Sequence, residues 1–193
     1  MCLIDKLIRD NTDQRYDKNG TIAKSGNVNK VKLKRLLKNL DASAAGKKIW
    51  NIRNLSKKER TTWLINYNSQ VFPSLDVKQF DYKSVSGLTL KDAAATLTEF
   101  IALTIKKVGY YKGCCIILCG GGRKNNFLVQ RIKKVNKIYK IKLIDDYGVN
   151  GDFVESQAFA YLAIRSYLGL PITFPNTTGC KEPTTGGVLV ENY

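Results

Sequence analysis

Cys114-Cys115-Ile116-Ile117-Leu118-Cys119-Gly120-Gly121-Gly122-Arg123-Lys124-Asn125-Asn126 is the stretch on which the fold turns. Six apolar residues in a row, closed by three glycines, predict a short central strand buried on both faces. A helical pattern follows from about Asn125 to Val135, and polar–apolar alternation over Tyr139–Ile144 predicts a second strand. Upstream, residues 89–108 predict the clearest helix of the chain. Thr89 and Asp92 have the spacing of a capping box, and Leu90, Ala93, Ala94, Leu97, Ile101, Ile105 and Val108 repeat with a period near 3.6. Gly109 offers the stop. Downstream, DDYGVNGD leads into a helix from about Phe153 to Leu168, begun by Asp152 with Glu155 three residues on. Helix, strand, helix, strand, helix is the order of an α/β fold.

The glycine triplet also has a chemical reading. Glycines let a backbone approach a ligand closely, and a helix N-terminus behind them offers N–H groups to a phosphate or a nucleotide edge. The spacing is neither that of a P-loop nor a dinucleotide GxGxxG. A tight strand-to-helix turn without a ligand would look the same. Glu155 is similarly open: it completes a helix cap, or it faces a substrate at the C-terminal edge of the sheet. Asp145 and Asp146 could orient Mg²⁺ or a sugar hydroxyl, or punctuate a turn. Pro175 to Gly179 reads as a loop.

The first forty residues predict two short helices around a polar turn, Tyr16 to Gly20. Residues 27–40 carry Val31, Leu33, Leu36, Leu37 and Leu40 near helical spacing. The turn has a superficial likeness to a calcium loop, but Gly26 stands where the bidentate glutamate belongs, so calcium is rejected. Residues 41–72 shift in composition, with both tryptophans, Trp50 and Trp63, and six basic residues. A helix near Ser56–Asn66 is expected there. Composition and periodicity divide the chain into a helical segment over 1–40, a basic insertion over 41–75 and an α/β part over 76–193.

The 193 residues suit one domain or one lobe of a larger enzyme. Thirty-two basic against sixteen acidic residues give a net charge of +16, which favours phosphate-bearing partners. The lysines are scattered, with pairs such as Lys106-Lys107 and no long basic run, so charge alone does not make a nucleic-acid interface. A basic nucleic-acid binder stands as an alternative reading. The absence of histidine removes His-dependent metal sites, Ser-His-Asp triads and Cys-His pairs. Five cysteines do not resemble a disulfide framework; Cys114, Cys115 and Cys119 are expected as small buried thiols, which fits a reducing cytoplasm. Neither a signal peptide nor a membrane span is legible.

Three segments together carry a family resemblance: LCGGGRKNN (Leu118 to Asn126), DDYGVNGDFVESQAFAYLA (Asp145 to Ala163) and FPNTTGCKEP (Phe174 to Pro183). With Leu3-Ile4-Asp5, YDKNG and AKSGNV (Ala23 to Val28) they resemble, in order and spacing, the anhydro-N-acetylmuramic acid kinases. The resemblance implies an actin-like, ribonuclease H-like fold, of which this chain would be the C-terminal lobe, with 1–40 a middle segment of the family, 41–75 an insertion foreign to it and 76–193 the nucleotide-binding lobe. It further implies an ATP- and Mg²⁺-dependent reaction in cell-wall recycling. In it the anhydro ring of the amino sugar is opened and phosphorylated to N-acetylmuramic acid 6-phosphate. Gly120, Gly121, Gly122 and Asn125 match the family's GGG-x-x-N motif and would contact nucleotide. Glu155 matches a glutamate on the active-site side, which sets a substrate role beside the capping one. Thr178 and Gly179 match a terminal motif of no assigned role.

The departures are as informative. Members of the family are about twice as long. The resemblance places the phosphate loop and the water-activating aspartate in the half this chain does not match. Asp5 falls at a later position than that aspartate and does not inherit its role. Arg123 and Lys124 replace residues that are usually small or apolar. Activity is therefore expected only with a separately encoded N-terminal half. A non-catalytic remnant is the alternative, and a homodimer is a further expectation.

Overall fold

The computed structural model describes residues 2–42, 81–107 and 115–190. The insertion expected over 41–75, its helix near Ser56–Asn66, Cys114, and the Gly109 stop lie wholly or almost wholly outside those residues.

Helix α1 (Cys2–Asn11) is followed by a tight turn and a one-turn helix, α2 (Thr21–Lys24). Asp17 builds that turn. Its carboxylate is buried and accepts from the backbone N–H groups of Ile22 at 2.9 Å and Ala23 at 3.0 Å, taking two donors that a helix start otherwise leaves unpaired. The polar turn between two helices is therefore a turn plus a third, short helix. Helix α3 (Lys30–Ala42) begins behind Asn29, whose Oδ1 accepts from Lys32 N. Leu36 and Leu40 are buried as its spacing predicts, whereas Val31 is 78% exposed.

Helix α4 (Leu90–Lys107) is central. The capping-box spacing holds in part: Thr89 accepts from Asp92 N–H, while the Asp92 carboxylate accepts from Thr89 Oγ1 and from Asn27 N–H at 2.7 Å. The cap thus ties two distant segments together. The single stripe read from sequence is too narrow, because every residue from Ala93 to Thr98 is buried. The reason is packing on two sides. Ile4, Leu7 and Ile8 of α1, Leu36 and Leu40 of α3, and Val85 surround Ala93, Ala94, Leu97 and Phe100 on one side. On the other, Ala102 meets Leu128 and Ile132 of helix α5 (Asn126–Val135). The buried hydroxyls of Thr96 and Thr98 are satisfied by carbonyls one turn back.

Strands β1 (Cys115–Leu118) and β2 (Lys140–Leu143) pair in parallel, Cys115 opposite Lys140 and Leu118 opposite Leu143, with α5 as the crossover. The architecture is α/β, as expected, with a two-stranded parallel sheet among the described residues. Burial on both faces of β1 is not found. Exposure alternates along both strands, Ile117 being 45% exposed. Leu118 and Ile141 pack beneath α4 and α5, whereas Cys115 and Ile117 lie exposed on the other face, where Tyr147 OH comes within 3.8 Å of Cys115 Sγ. Cys115 and Cys119 are correspondingly exposed thiols rather than buried ones.

Helix α6 (Val154–Tyr167) buries none of its residues. Its last turn holds the C-terminal segment, Arg165 Nε donating to Pro171 O at 2.7 Å and Ser166 Oγ to Gly186 O. Pro175–Thr178, read as a loop, is a one-turn helix, α7, with Pro175 at its start and Gly179 left-handed at its end.

Candidate functional site

The glycine loop does not run straight into α5. A 3-10 turn over Gly121–Lys124 intervenes, and Asn125 then caps the helix, its Oδ1 accepting from Leu128 N–H at 2.9 Å. That cap, worth about 1 kcal/mol, directs the amide end inward. Asn125 is only 2% exposed, and its Nδ2 is buried without a partner. Gly20 accounts for part of this burial. It holds a left-handed φ of +73°, and a Cβ there would stand 2.4 Å from Asn125 Oδ1 and 2.6 Å from Phe127 Cβ. Only glycine meets both conditions. The YDKNG and GGG-x-x-N segments, a hundred residues apart in sequence, therefore meet at Gly20 and Asn125.

Between them opens a cleft of about 680 Å³. Gly121, Gly122, Lys124 and Asn125 form one wall. The other comes from Asp5 and Arg9 of α1 and from Arg15 to Asn19 of the turn. A Cβ built on Gly120 or Gly121 would meet nothing within 4 Å among the described residues. Packing in the described structure does not require glycine at position 121, and the space above it faces the cleft. Arg9, Arg15, Lys18 and Lys124 make the lining strongly cationic. Two carboxylates stand against them, Asp17, whose oxygens are taken by the turn, and Asp5. Burial raises its pKa above the usual carboxylate value against the opposing pull of Arg9, and its Oδ1 is buried with no partner.

Arg123 fixes the loop. The side chain is buried; Nε and Nη2 grip Asp145 at 2.6 and 3.0 Å, while Nη1 reaches Asp152 at 2.7 Å and Gly120 O at 3.1 Å. Gly151 leaves room for it, since a Cβ there would fall 2.3 Å from Arg123 Nε. The fork holds Asp145 at a pKa of about 2. Asp152 is also held low, chiefly by Lys124 and then by Arg123. Arg123 is the residue sequence reasoning passed over, noted only as a departure from the family. The signal was present: a lone arginine behind glycines, with acidic residues at both ends of DDYGVNGD.

Of the two readings open for Asp145 and Asp146 the structure shows the turn, over Ile144–Tyr147, whereas the Asp152 cap is corrected. Asp145 is spent on Arg123, and Asp146 accepts from Leu143 N–H. Asp152 is an ion-pair partner and not the cap of α6; the N-cap position is Phe153, with no side-chain cap. Glu155 lies exposed in the first turn of α6 and does not line the cleft. Gly120, Gly121, Gly122 and Asn125 are brought together, and Thr178 stands apart beside Thr173.

The family model for anhydro-N-acetylmuramic acid kinase matches residues 1–192. A protein of that name from Pelagibacter ubique is 42% identical over 200 residues, covering 100% of this chain and 47% of its own length. Those from Caulobacter vibrioides and Agrobacterium fabrum are 34% and 33% identical over 97% of the chain, and 44% and 45% of their own lengths. The chain spans about half the length of the curated relatives it matches. The comparison sets the matched stretch in the relatives' N-terminal half, not in the C-terminal half expected from the motif order. With that coverage and identity, the chain belongs to the anhydro-N-acetylmuramic acid kinase family.

Proposed function

We propose that this chain forms part of an ATP-dependent kinase that opens and phosphorylates 1,6-anhydro-N-acetylmuramic acid to N-acetylmuramic acid 6-phosphate, in the cytoplasm, during peptidoglycan recycling. Its contribution is a nucleotide half-site of actin-like type at Gly120, Gly121, Gly122 and Asn125. The observation that carries this is the open space above Gly121 in a cationic cleft that Gly122 and Asn125 also line. Phosphate oxygens are matched by Arg9, Arg15 and Lys18, while Lys124, paired with Asp152, adds positive charge beside them. Glu155, outside the cleft, would meet the sugar only in the assembled enzyme.

Mg²⁺ would enter with the triphosphate. Among the described residues no cluster of three or more acidic or cysteine ligands occurs, and Mg²⁺ is commonly held by one or two carboxylates plus phosphates. Phosphoryl transfer depends on positioning and charge stabilisation around phosphate and nucleophile, and a half-length chain supplies part of that arrangement.

The rest of the family-length polypeptide is the expected partner. On α6 Phe159 is 63% and Tyr167 75% exposed, and with Ile164, Leu168 and Leu189 they leave an apolar surface no described element covers. A face of that kind suits the remaining half of a two-lobed enzyme better than water.

A thermal melt with and without millimolar Mg-ATP tests the half-site. Ligand a hundredfold above Kd adds about 2.7 kcal/mol to the folded state, so an ATP-specific rise supports the reading. A cooperative melt without a shift removes it, and no cooperative melt favours the non-catalytic remnant. Mixing the chain with the half of a full-length relative that it does not span should then restore sugar phosphorylation.

A further inference from the structure

Asp5 is the one carboxylate lining the cleft that has no protein donor on a buried oxygen. Asp17, also in the wall, has both oxygens occupied by Ile22 and Ala23 N–H. An unpaired buried acceptor normally costs a folded protein stability. A cleft lined by Arg9, Arg15, Lys18 and Lys124 is shaped for an anion, and a bare polyphosphate would gain nothing from a carboxylate beside it. The ligand that uses both features carries phosphate together with a hydrogen-bond donor. Asn125 Nδ2, unpaired in the same lining, adds a demand for an acceptor.

Resting on the nucleotide reading above, we propose that Asp5 is a specificity-determining residue that accepts a hydrogen bond from a hydroxyl or amino donor on the nucleoside part of a nucleoside triphosphate. It selects such a ligand over inorganic triphosphate. Asp5 performs no chemistry; it positions. Asp5 is half-buried, with only Oδ1 closed off, and selection arises because a ligand without a donor strips the remaining water from the carboxylate and leaves it unpaired, whereas a donor replaces that water.

Titration calorimetry on the whole 193-residue chain tests this with ATP, 2′-deoxy-ATP, inosine triphosphate and inorganic triphosphate, each with and without Mg²⁺. The proteins are the unmodified chain, Asp5→Asn and Asp5→Leu. Asp5→Leu should weaken ATP by about ten- to a hundredfold, the range for a hydrogen bond to a charged group. Asp5→Asn, which keeps a neutral acceptor, should fall between. Inorganic triphosphate should bind all three proteins alike or bind the variants more tightly. The deoxy nucleotide points to a ribose hydroxyl if it alone loses the effect, and inosine triphosphate to the base amine. Both variants should melt no lower than the unmodified chain, because neither leaves a desolvated charge.

Four results overturn the proposal: ATP binding unchanged by Asp5→Leu, an equal loss for inorganic triphosphate, a loss seen only with Mg²⁺, or variants that melt well below the parent. Failure of the unmodified chain to bind ATP would instead sink the nucleotide reading, and this one with it.

Discussion

Arg123 and Asp145 form a two-bonded fork, Nε to Oδ2 at 2.6 Å and Nη2 to Oδ1 at 3.0 Å, on a guanidinium that is itself buried. The same guanidinium accounts for Asp152 and for the carbonyl of Gly120. The glycine loop is therefore held from behind by a charge network, and its open side is left to the cleft.

That network makes acid stability specific. Asp145 is depressed from 3.8 to about 2 in the folded chain, so its contribution is full above pH 3.8 and is lost as pH falls toward 2. Asp152 acts in the same direction. Melting temperature should drop steeply over that window in the parent and less steeply in Arg123→Met, which starts lower because Asp145 has lost its partner and Asp152 keeps only Lys124. Parallel curves for the two proteins would show that the fork adds nothing.

Thr96 should matter beyond its methyl group. Its hydroxyl accepts from Asn29 N–H at 2.9 Å while donating to Asp92 O. Thr96→Val keeps the shape and leaves the Asn29 donor unpaired, for a loss of about 1–3 kcal/mol by urea denaturation. Thr104→Val, whose hydroxyl only donates to Phe100 O, should lose less.

The centre of α4 sets the largest single loss. Leu97 is fully buried between α1, α3 and Phe100, and Leu97→Ala should cost about 2–5 kcal/mol. Val31→Ala, on the exposed side of α3, should stay within about 0.5 kcal/mol. Equal losses at the two sites would mean that the core lies elsewhere.

Glycines 20 and 121 should separate folding from binding. Gly20→Ala meets a left-handed φ, a strain of about 1–2 kcal/mol, and displaces the Asn125 cap, a further loss of about 1 kcal/mol. Melting temperature should fall by several degrees. Gly121→Val places its side chain into open cleft, so its melting temperature should hold while the ATP-induced rise disappears. A retained rise in Gly121→Val would place the nucleotide elsewhere.

How much was legible follows from the range of each interaction. The α4 and α5 helices, both strands and their order follow from local periodicity and caps, because Thr89, Asn125 and the apolar repeats act within a few residues of themselves. The motif segments and the family were readable for the same reason. Burial was not. Ile117 and Cys115 read as core because six apolar residues in a row suit a strand covered on both faces, yet only the face of Leu118 and Ile141 is covered by α4 and α5.

The candidate site divides along the same line. Sequence alone determined the glycine triplet, its helix and the capping asparagine, each a short-range feature. Their meeting with Asp5, Arg9 and Gly20, the turning of Asp145 and Asp152 onto Arg123, and the removal of Glu155 from the cleft were settled by the packing of distant segments on α4. Those outcomes depend on which carboxylate a buried arginine can reach, and on where a Cβ would collide. Both are fixed by three-dimensional distance, which residue spacing does not carry.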